Sequence, residues 1–144
     1  MDTASINLAE LPEHEYKTLI RERHLDSFGH VNNAQYSVLF EEARWEMISA
    51  RGYDLKSVHE TQVGTVILES TIRFKRELRL REEIRIQTKV VALSRKIITL
   101  RHLILKETGE IAAEATFTLG CFDLKERKLR TPTPDWLAAV TGIK

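Results

Sequence analysis

A chain of 144 residues with 42% hydrophobic and 30% charged side chains has the make-up of one soluble domain, able to bury roughly 70% of its unfolded surface and far from disordered or membrane-spanning compositions. A formal charge of +1 does not call for a nucleic-acid partner, which would want a denser basic patch and exposed aromatics. The acidic start (Asp2, Glu10, Glu13, Glu15) leaves 22 basic against 17 acidic residues on the remainder, enough to receive a small anionic ligand.

Residues 1–14 end soon after Pro12 and read as a flexible lead-in, with one domain over 15–144. Alternation of Tyr16, Thr18 and Ile20 against Lys17, Arg21 and Arg23 predicts a first strand from Tyr16 to His24. The punctuated run from Leu25 to Asn33 breaks it. Asn32 is then an N-cap, Gln35 the third residue of a capping box, and Arg51-Gly52 a stop, which predicts a helix of about five turns. Tyr36, Leu39, Phe40, Ala43, Met47 and Ala50 form one apolar face. Val38, Trp45 and Ile48 form a second, so the helix is expected to be wrapped rather than laid on a surface.

After Gln62 the pattern changes to strands: Val63 to Phe74, Ile84 to Leu93, Ile97 to Lys106 and Ile111 to Asp123. Turn signals at Leu93-Ser94-Arg95-Lys96 and Glu107-Thr108-Gly109 make the last three an antiparallel meander. Pro132 and Pro134 end it before a short amphipathic tail with Trp136, Leu137 and Val140. Strands without interleaved helices point to α+β architecture, an antiparallel five-stranded sheet wrapped around one long central helix. The single Cys121 lies inside an apolar strand, where it packs as a small hydrophobe, and it rules out an internal disulfide or a multi-cysteine zinc site. No apolar run approaches the roughly 20 residues that span a bilayer, and the chain does not start with a basic segment followed by an apolar block, so a cytoplasmic location is expected.

Chemistry concentrates at the start of the helix. Asp26 stands about one turn of irregular chain before it, with Gly29 between them permitting close backbone approach. Free amides at the helix start, that of Asn33 above all, carry partial positive charge and can polarise a carbonyl or hold an oxyanion. A carboxylate opposite them can attack the carbonyl carbon or deprotonate a water that does. Asp26 read alone equally fits a turn cap. His30 fits a general base or a scaffold for the loop, Asn32 a cap, and Tyr36 packing on the first helical turn.

The stretch His24-Leu25-Asp26-Ser27-Phe28-Gly29-His30-Val31-Asn32-Asn33-Ala34-Gln35-Tyr36, followed by Phe40-Glu41-Glu42-Ala43-Arg44-Trp45, resembles the active-site signature of the hot-dog-fold thioesterases. Within them it is similar to the 4-hydroxybenzoyl-CoA thioesterase-like branch that includes bacterial long-chain acyl-CoA thioesterases. The resemblance implies a hot-dog fold and hydrolysis of acyl-CoA to acid and free thiol without metal or redox cofactor. By the same resemblance Asp26 is catalytic, the Asn33 amide points at the thioester carbonyl, and His30 belongs to the site. Tyr36 and Phe40 line the acyl path, and Ser94, Arg95, Lys96, Lys128 and Arg130 sit around the coenzyme A phosphates. Glu41, Glu42 and Glu69 are candidates for a second carboxylate. The resemblance further implies a homodimer or homotetramer with the site between subunits, and no nucleic-acid or membrane partner. Rival readings are hydrolysis of acyl groups from acyl carrier protein, a non-catalytic acyl-CoA-binding protein, and an enoyl-CoA hydratase.

Overall fold

The computed structural model describes residues 3–144; Asp2, part of the acidic lead-in, lies outside them. Strand β1 (His14–Leu19) leads through irregular chain to helix α1 (Asn33–Ala50) and a short helix α2 (Leu55–Thr61). Four long strands follow: β2 (Val63–Phe74), β3 (Glu83–Leu93), β4 (Ile97–Leu105) and β5 (Ile111–Asp123). A two-residue strand β6 (Lys128–Leu129) and helix α3 (Pro134–Thr141) complete the chain.

Every strand pair is antiparallel, in the spatial order β1-β3-β4-β5-β2, with β6 beside β5. Strict alternation on β4 turns Ile98, Leu100, His102 and Ile104 inward, and on β3 it does the same for Ile84, Ile86, Thr88 and Val90. Side chains in a strand alternate between faces, so one side of the sheet becomes continuously apolar. Helix α1 packs onto that side through Leu39, Phe40, Ala43 and Met47, all essentially inaccessible to solvent. This is the sheet curled around a helix that the hot-dog resemblance implies.

The core has two parts. One surrounds the first half of α1 and joins Tyr36, Leu39 and Phe40 to Ile84, Ile86, Ile104 and Ala113. The other surrounds its second half and joins Met47 and Ile48 to Ile98, Leu119, Cys121 and Trp136. Burial raises the Cys121 thiol pKa, so it remains a protonated packing group at neutral pH.

Several expectations require correction. The first strand ends at Leu19, not His24: Arg21 N–H donates to His24 Nδ1 at 2.9 Å, and residues 22–24 wind into a 3-10 turn. Between residues 3 and 13 the lead-in is not loose, because Leu11 is buried and Ile6 and Leu8 pack on the core. Gln35 closes no capping box, since the Asn32 amide that it would reach donates instead to His24 O at 2.9 Å. Asn32 still caps, accepting from Ala34 N at 2.9 Å.

The second apolar face of α1 is only partly wrapped. Ile48 is buried, but Val38 and Trp45 are 44% and 39% exposed in the single chain, because the sheet curls over one side of the helix. Beyond the five expected strands, β6 takes up the position beside β5 just beyond Ile97, where β4 starts. Helix α2 was not expected; Asp54 caps it by accepting from Ser57 N at 3.0 Å. The tail becomes α3, anchored by the buried Trp136, whose Nε1 donates to Thr65 Oγ1 at 2.9 Å.

Candidate active site

The loop before α1 is built by its own polar groups. Asp26 N–H donates to His30 O at 3.0 Å, Gly29 N–H to Asp26 O at 3.3 Å, and Phe28 N–H to Asp26 Oδ1 at 2.8 Å. Gly29 turns the chain at φ +87°, a conformation that costs an L side chain energy. The turn-cap reading of Asp26 is thus true of one of its oxygens. The other, Oδ2, faces His30 Nδ1 at 3.8 Å, and the side chain is 17% exposed.

His30 Nδ1 also lies 3.2 Å from Val31 O. A carbonyl only accepts, so Nδ1 carries the proton in that contact and donates it to Val31 O, with Asp26 Oδ2 beyond hydrogen-bond distance. This arrangement makes His30 a brace for the loop.

Asp26, His30, Asn33, Tyr36 and Phe74 line one cleft of about 530 Å³, with Lys75 and Arg76 on its rim. Asn33 occupies the first helical position. Its N–H meets no acceptor among the described residues, whereas the next two amides are taken by Asn32 Oδ1 and Asn32 O. The residue that carries this carboxylate and the residue that carries this unsatisfied helix-terminal N–H therefore line the same space. That pairing can activate water or attack a carbonyl while holding the oxygen that becomes negative.

Tyr36 stands edge-on to Phe74 with ring centroids 5.0 Å apart. Burial raises its hydroxyl pKa, reinforced by Glu82 and Glu77, which keeps it a neutral wall group. Phe40 lies one turn deeper, fully buried between His102 and Phe117, and lines no part of the cleft.

Ser94, Arg95, Lys96, Lys128 and Arg130 do gather with one another. A side chain at Gly120 would meet both Lys96 O and Leu129, so the β3–β4 turn adjoins β6. Their place, however, is the far end of the sheet, where β2 starts at Val63 opposite Asp123. Asp26 belongs to the end where β2 finishes at Phe74. Helix α1 separates the two, a length of about 27 Å for eighteen residues. The three candidate second carboxylates also stay out of the cleft: Glu42 accepts from Tyr16 at 3.4 Å, Glu69 is exposed beside a bulge in β2, and Glu41 points to a different cavity.

Sequence reasoning passed over Lys75, Arg76 and Phe74 at the cleft. Their signal was the basic cluster Arg73-Phe74-Lys75-Arg76 at the end of a strand. It also passed over a buried polar chain behind Phe40. Arg44 lies over the Phe117 ring at 4.2 Å and its NH1 is 3.3 Å from His102 Nε2, while His102 Nδ1 is 2.8 Å from Thr88 Oγ1. A guanidinium only donates, so Nε2 accepts and Nδ1 carries the hydrogen given to Thr88. Burial, then the Arg44 charge, lowers the His102 pKa to about 3.

That depression has a consequence for stability. Between the folded value near 3 and the unfolded value near 6.5 the unfolded chain binds the extra proton, so the contribution is complete above pH 6.5 and is lost as pH falls through that window. At pH 5 the loss from His102 is about 2 kcal/mol, and His14 and His24, also lowered mainly by burial, add to it. Urea unfolding between pH 7.5 and 4.5 measures this slope. His102→Gln should flatten it while lowering stability at pH 7.5, and an unchanged slope would assign the effect elsewhere.

Comparison with known proteins adds to this geometry. The model of the thioesterase-like superfamily matches residues 20–140. The long-chain acyl-CoA thioesterase FadM of Escherichia coli K12 is 32% identical over 111 residues, covering 76% of this chain and 83% of that protein. The Staphylococcus aureus protein SAV2348, solved in complex with CoA, superposes with a TM-score of 0.84 at 15% identity over 92% of this chain and 84% of that one. DHNA-CoA thioesterase from Staphylococcus aureus gives 0.81 at 22% identity, over 91% and 90%. At those identities the two structures establish the fold alone.

Proposed function

The chain belongs to the thioesterase-like superfamily and is a thioester hydrolase, and from that premise we propose that it cleaves acyl thioesters of coenzyme A with Asp26 as the reacting carboxylate and the Asn33 N–H as donor to the carbonyl oxygen. The observation that carries this reading is the unsatisfied Asn33 amide sharing a cleft with Asp26. A thioester carbonyl is poorly stabilised by resonance, so one carboxylate and one positioned donor supply enough activation. Asp26 takes a proton from water as the hydroxide adds to the carbonyl carbon, or adds directly to give a mixed anhydride that water opens. In either route the carbon–sulfur bond breaks, the thiolate leaves and takes up a proton, and the acid is released. Water and the carboxylate balance the reaction, so it calls for no metal or redox cofactor.

A symmetric dimer completes the site. Strand β2 is an edge strand with Ile67, Leu68 and Phe74 exposed, and an unpaired apolar edge invites pairing. Two β2 edges related by a two-fold axis run antiparallel. The partner is then turned end for end, which brings its Ser94–Lys96 turn and its Lys128–Arg130 segment toward this chain's Asp26. That resolves the separation of the two sets within one chain, and it places basic groups where coenzyme A phosphates would lie.

Thiol release from acyl-CoAs of graded chain length, measured on the fraction that sediments as a dimer or larger, tests the proposal. Hydrolysis of acyl-CoA at a higher kcat/KM than of the same acyl group on acyl carrier protein is the expected result. Faster reaction on the carrier protein would assign the basic rim to an acidic protein partner instead, and binding of acyl-CoA without turnover would end the enzymatic reading.

A further inference from the structure

The loop that carries Asp26 is hung between two fixed points. On one side Ile20 is fully buried, donates its N–H to Glu82 O at 2.9 Å and accepts from Arg81 N–H at 2.8 Å. On the other side Val31 is buried, and its N–H donates to Leu78 O at 2.9 Å. A short ladder closes the stem of the loop: Asn32 N–H donates to His24 O at 2.9 Å, Leu25 bridges Val31, and Asp26 N–H donates to His30 O at 3.0 Å. His24 is where this ladder meets the first fixed point. Its ring Nδ1 accepts from Arg21 N–H at 2.9 Å, one residue past Ile20, and its own N–H donates to Arg21 O at 3.0 Å. One residue thus grips the chain just past β1 with its ring and the N-cap of α1 with its carbonyl.

Packing alone does not account for an imidazole at this place. His24 is fully buried, and burial, then the Arg23 charge, lowers its pKa, so the ring is neutral at neutral pH. A backbone N–H only donates, so Nδ1 is the acceptor and the ring hydrogen sits on Nε2. That Nε2 is buried and meets no hydrogen-bond partner among the described residues. Glu42, which engages Tyr16 and Arg23, acts on the ring only at longer range. A buried donor without an acceptor is a cost that a leucine of similar size would avoid. What leucine does not supply is the acceptor for Arg21. We propose that His24 is a positioning residue for thioester cleavage: its ring, held on the Arg21 amide, fixes where Asp26 sits relative to the Asn33 N–H. Asp26 follows His24 by two residues, and Asn33 directly follows Asn32, whose amide His24 holds, so a shift of His24 moves both reacting groups. Misplacement by about 1 Å can cost a reaction on the order of 10²-fold. The inference rests on Asp26 and Asn33 acting as proposed above and adds the residue that spaces them.

Three substitutions in the full chain test it, with kcat and KM for acyl-CoA hydrolysis taken per folded molecule as judged by urea unfolding. Asn carries Oδ1 where the imidazole carries Nδ1, whereas Gln carries Oε1 near the place of Nε2. His24→Asn should therefore keep the Arg21 bond and hold kcat within about threefold of the wild type. His24→Gln and His24→Leu should each lower kcat by roughly 10–100-fold, with KM changed less than about twofold. A residue that only filled space would give the opposite order, because Gln is nearer to His in volume than Asn is. A kcat for His24→Gln equal to or above that of His24→Asn overturns the proposal. On an Asp26→Asn background the further loss caused by His24→Gln should shrink to less than about threefold, since the group being placed is gone; losses that multiply in full also overturn it. Wild-type kcat in Asp26→Asn would remove the catalytic reading and this inference with it. Loss of kcat in Asp26→Asn, with wild-type values in His24→Gln and His24→Leu, would remove this inference alone.

Discussion

Asp26→Asn is expected to lower kcat for acyl-CoA hydrolysis by about 10²–10⁴-fold, the usual contribution of a positioned acid–base group, with little change in unfolding free energy. The local structure makes this a clean test. Asp26 Oδ1 accepts the Phe28 amide, and the amide oxygen of Asn accepts the same bond, so the turn that shapes the loop survives. What is lost is the second, basic oxygen facing His30. Asp26→Ala removes both, and should match the loss in kcat while costing about 1 kcal/mol more of stability through the missing turn bond. Parallel urea unfolding separates the two effects. Retention of wild-type kcat in Asp26→Asn would show that the carboxylate serves only the turn. One turnover in ¹⁸O-labelled water with enzyme in excess tests the nucleophilic route: label in the Asp26 side chain marks attack by the carboxylate, whereas label confined to the released acid is the result both of activated water and of an anhydride opened at its acyl carbon.

Much of this was legible from residues whose local rules agree. The α1 cap at Asn32, the apolar repeat through Tyr36, Phe40, Ala43 and Met47, and the inward alternation of β3 and β4 each follow from one periodicity, so the helix and the sheet core were predicted together. The first strand failed because the pattern Tyr16, Thr18, Ile20 continues past the point where His24 Nδ1 takes the Arg21 amide; alternation cannot register a side chain competing for a backbone donor. The capping box failed similarly, since Gln35 lost its target to His24 O, a contact made by the loop as a whole. Helix α2 has seven residues, too few for a periodic signal, and only the Asp54-to-Ser57 cap marked it. At the site, the spacing of Asp26, Gly29 and Asn33 showed which groups converge because they are neighbours in sequence. The inclusion of Lys75 and Phe74, and the distance from Ser94–Lys96, depend on which end of a sheet each strand reaches, and that is decided by tertiary pairing.

Asn33→Pro is expected to reduce kcat by about 10²–10³-fold, the effect of deleting one oxyanion donor, while Asn33→Ala stays near the wild type. Proline normally cannot be placed in a helix without damage, but the first helical position is the exception, because its N–H has no intrahelical partner and its φ suits the ring. Asn32 already has φ −65° and ψ 141°, the extended conformation required before proline. The amide that would be removed bonds to nothing else among the described residues, so its deletion costs the fold no hydrogen bond. Ala34 keeps its bond to Asn32 Oδ1, and the cap holds. The difference between the proline and alanine variants isolates one backbone N–H from the side chain that accompanies it. Because the donor acts on charge that develops after attack, the loss should appear in kcat with KM little changed. Equal rates for the two variants would mean that the helix terminus does not contact the reacting carbonyl, and the polarising role would pass to other groups on the cleft, with Lys75 and Arg76 on its rim the first to be changed.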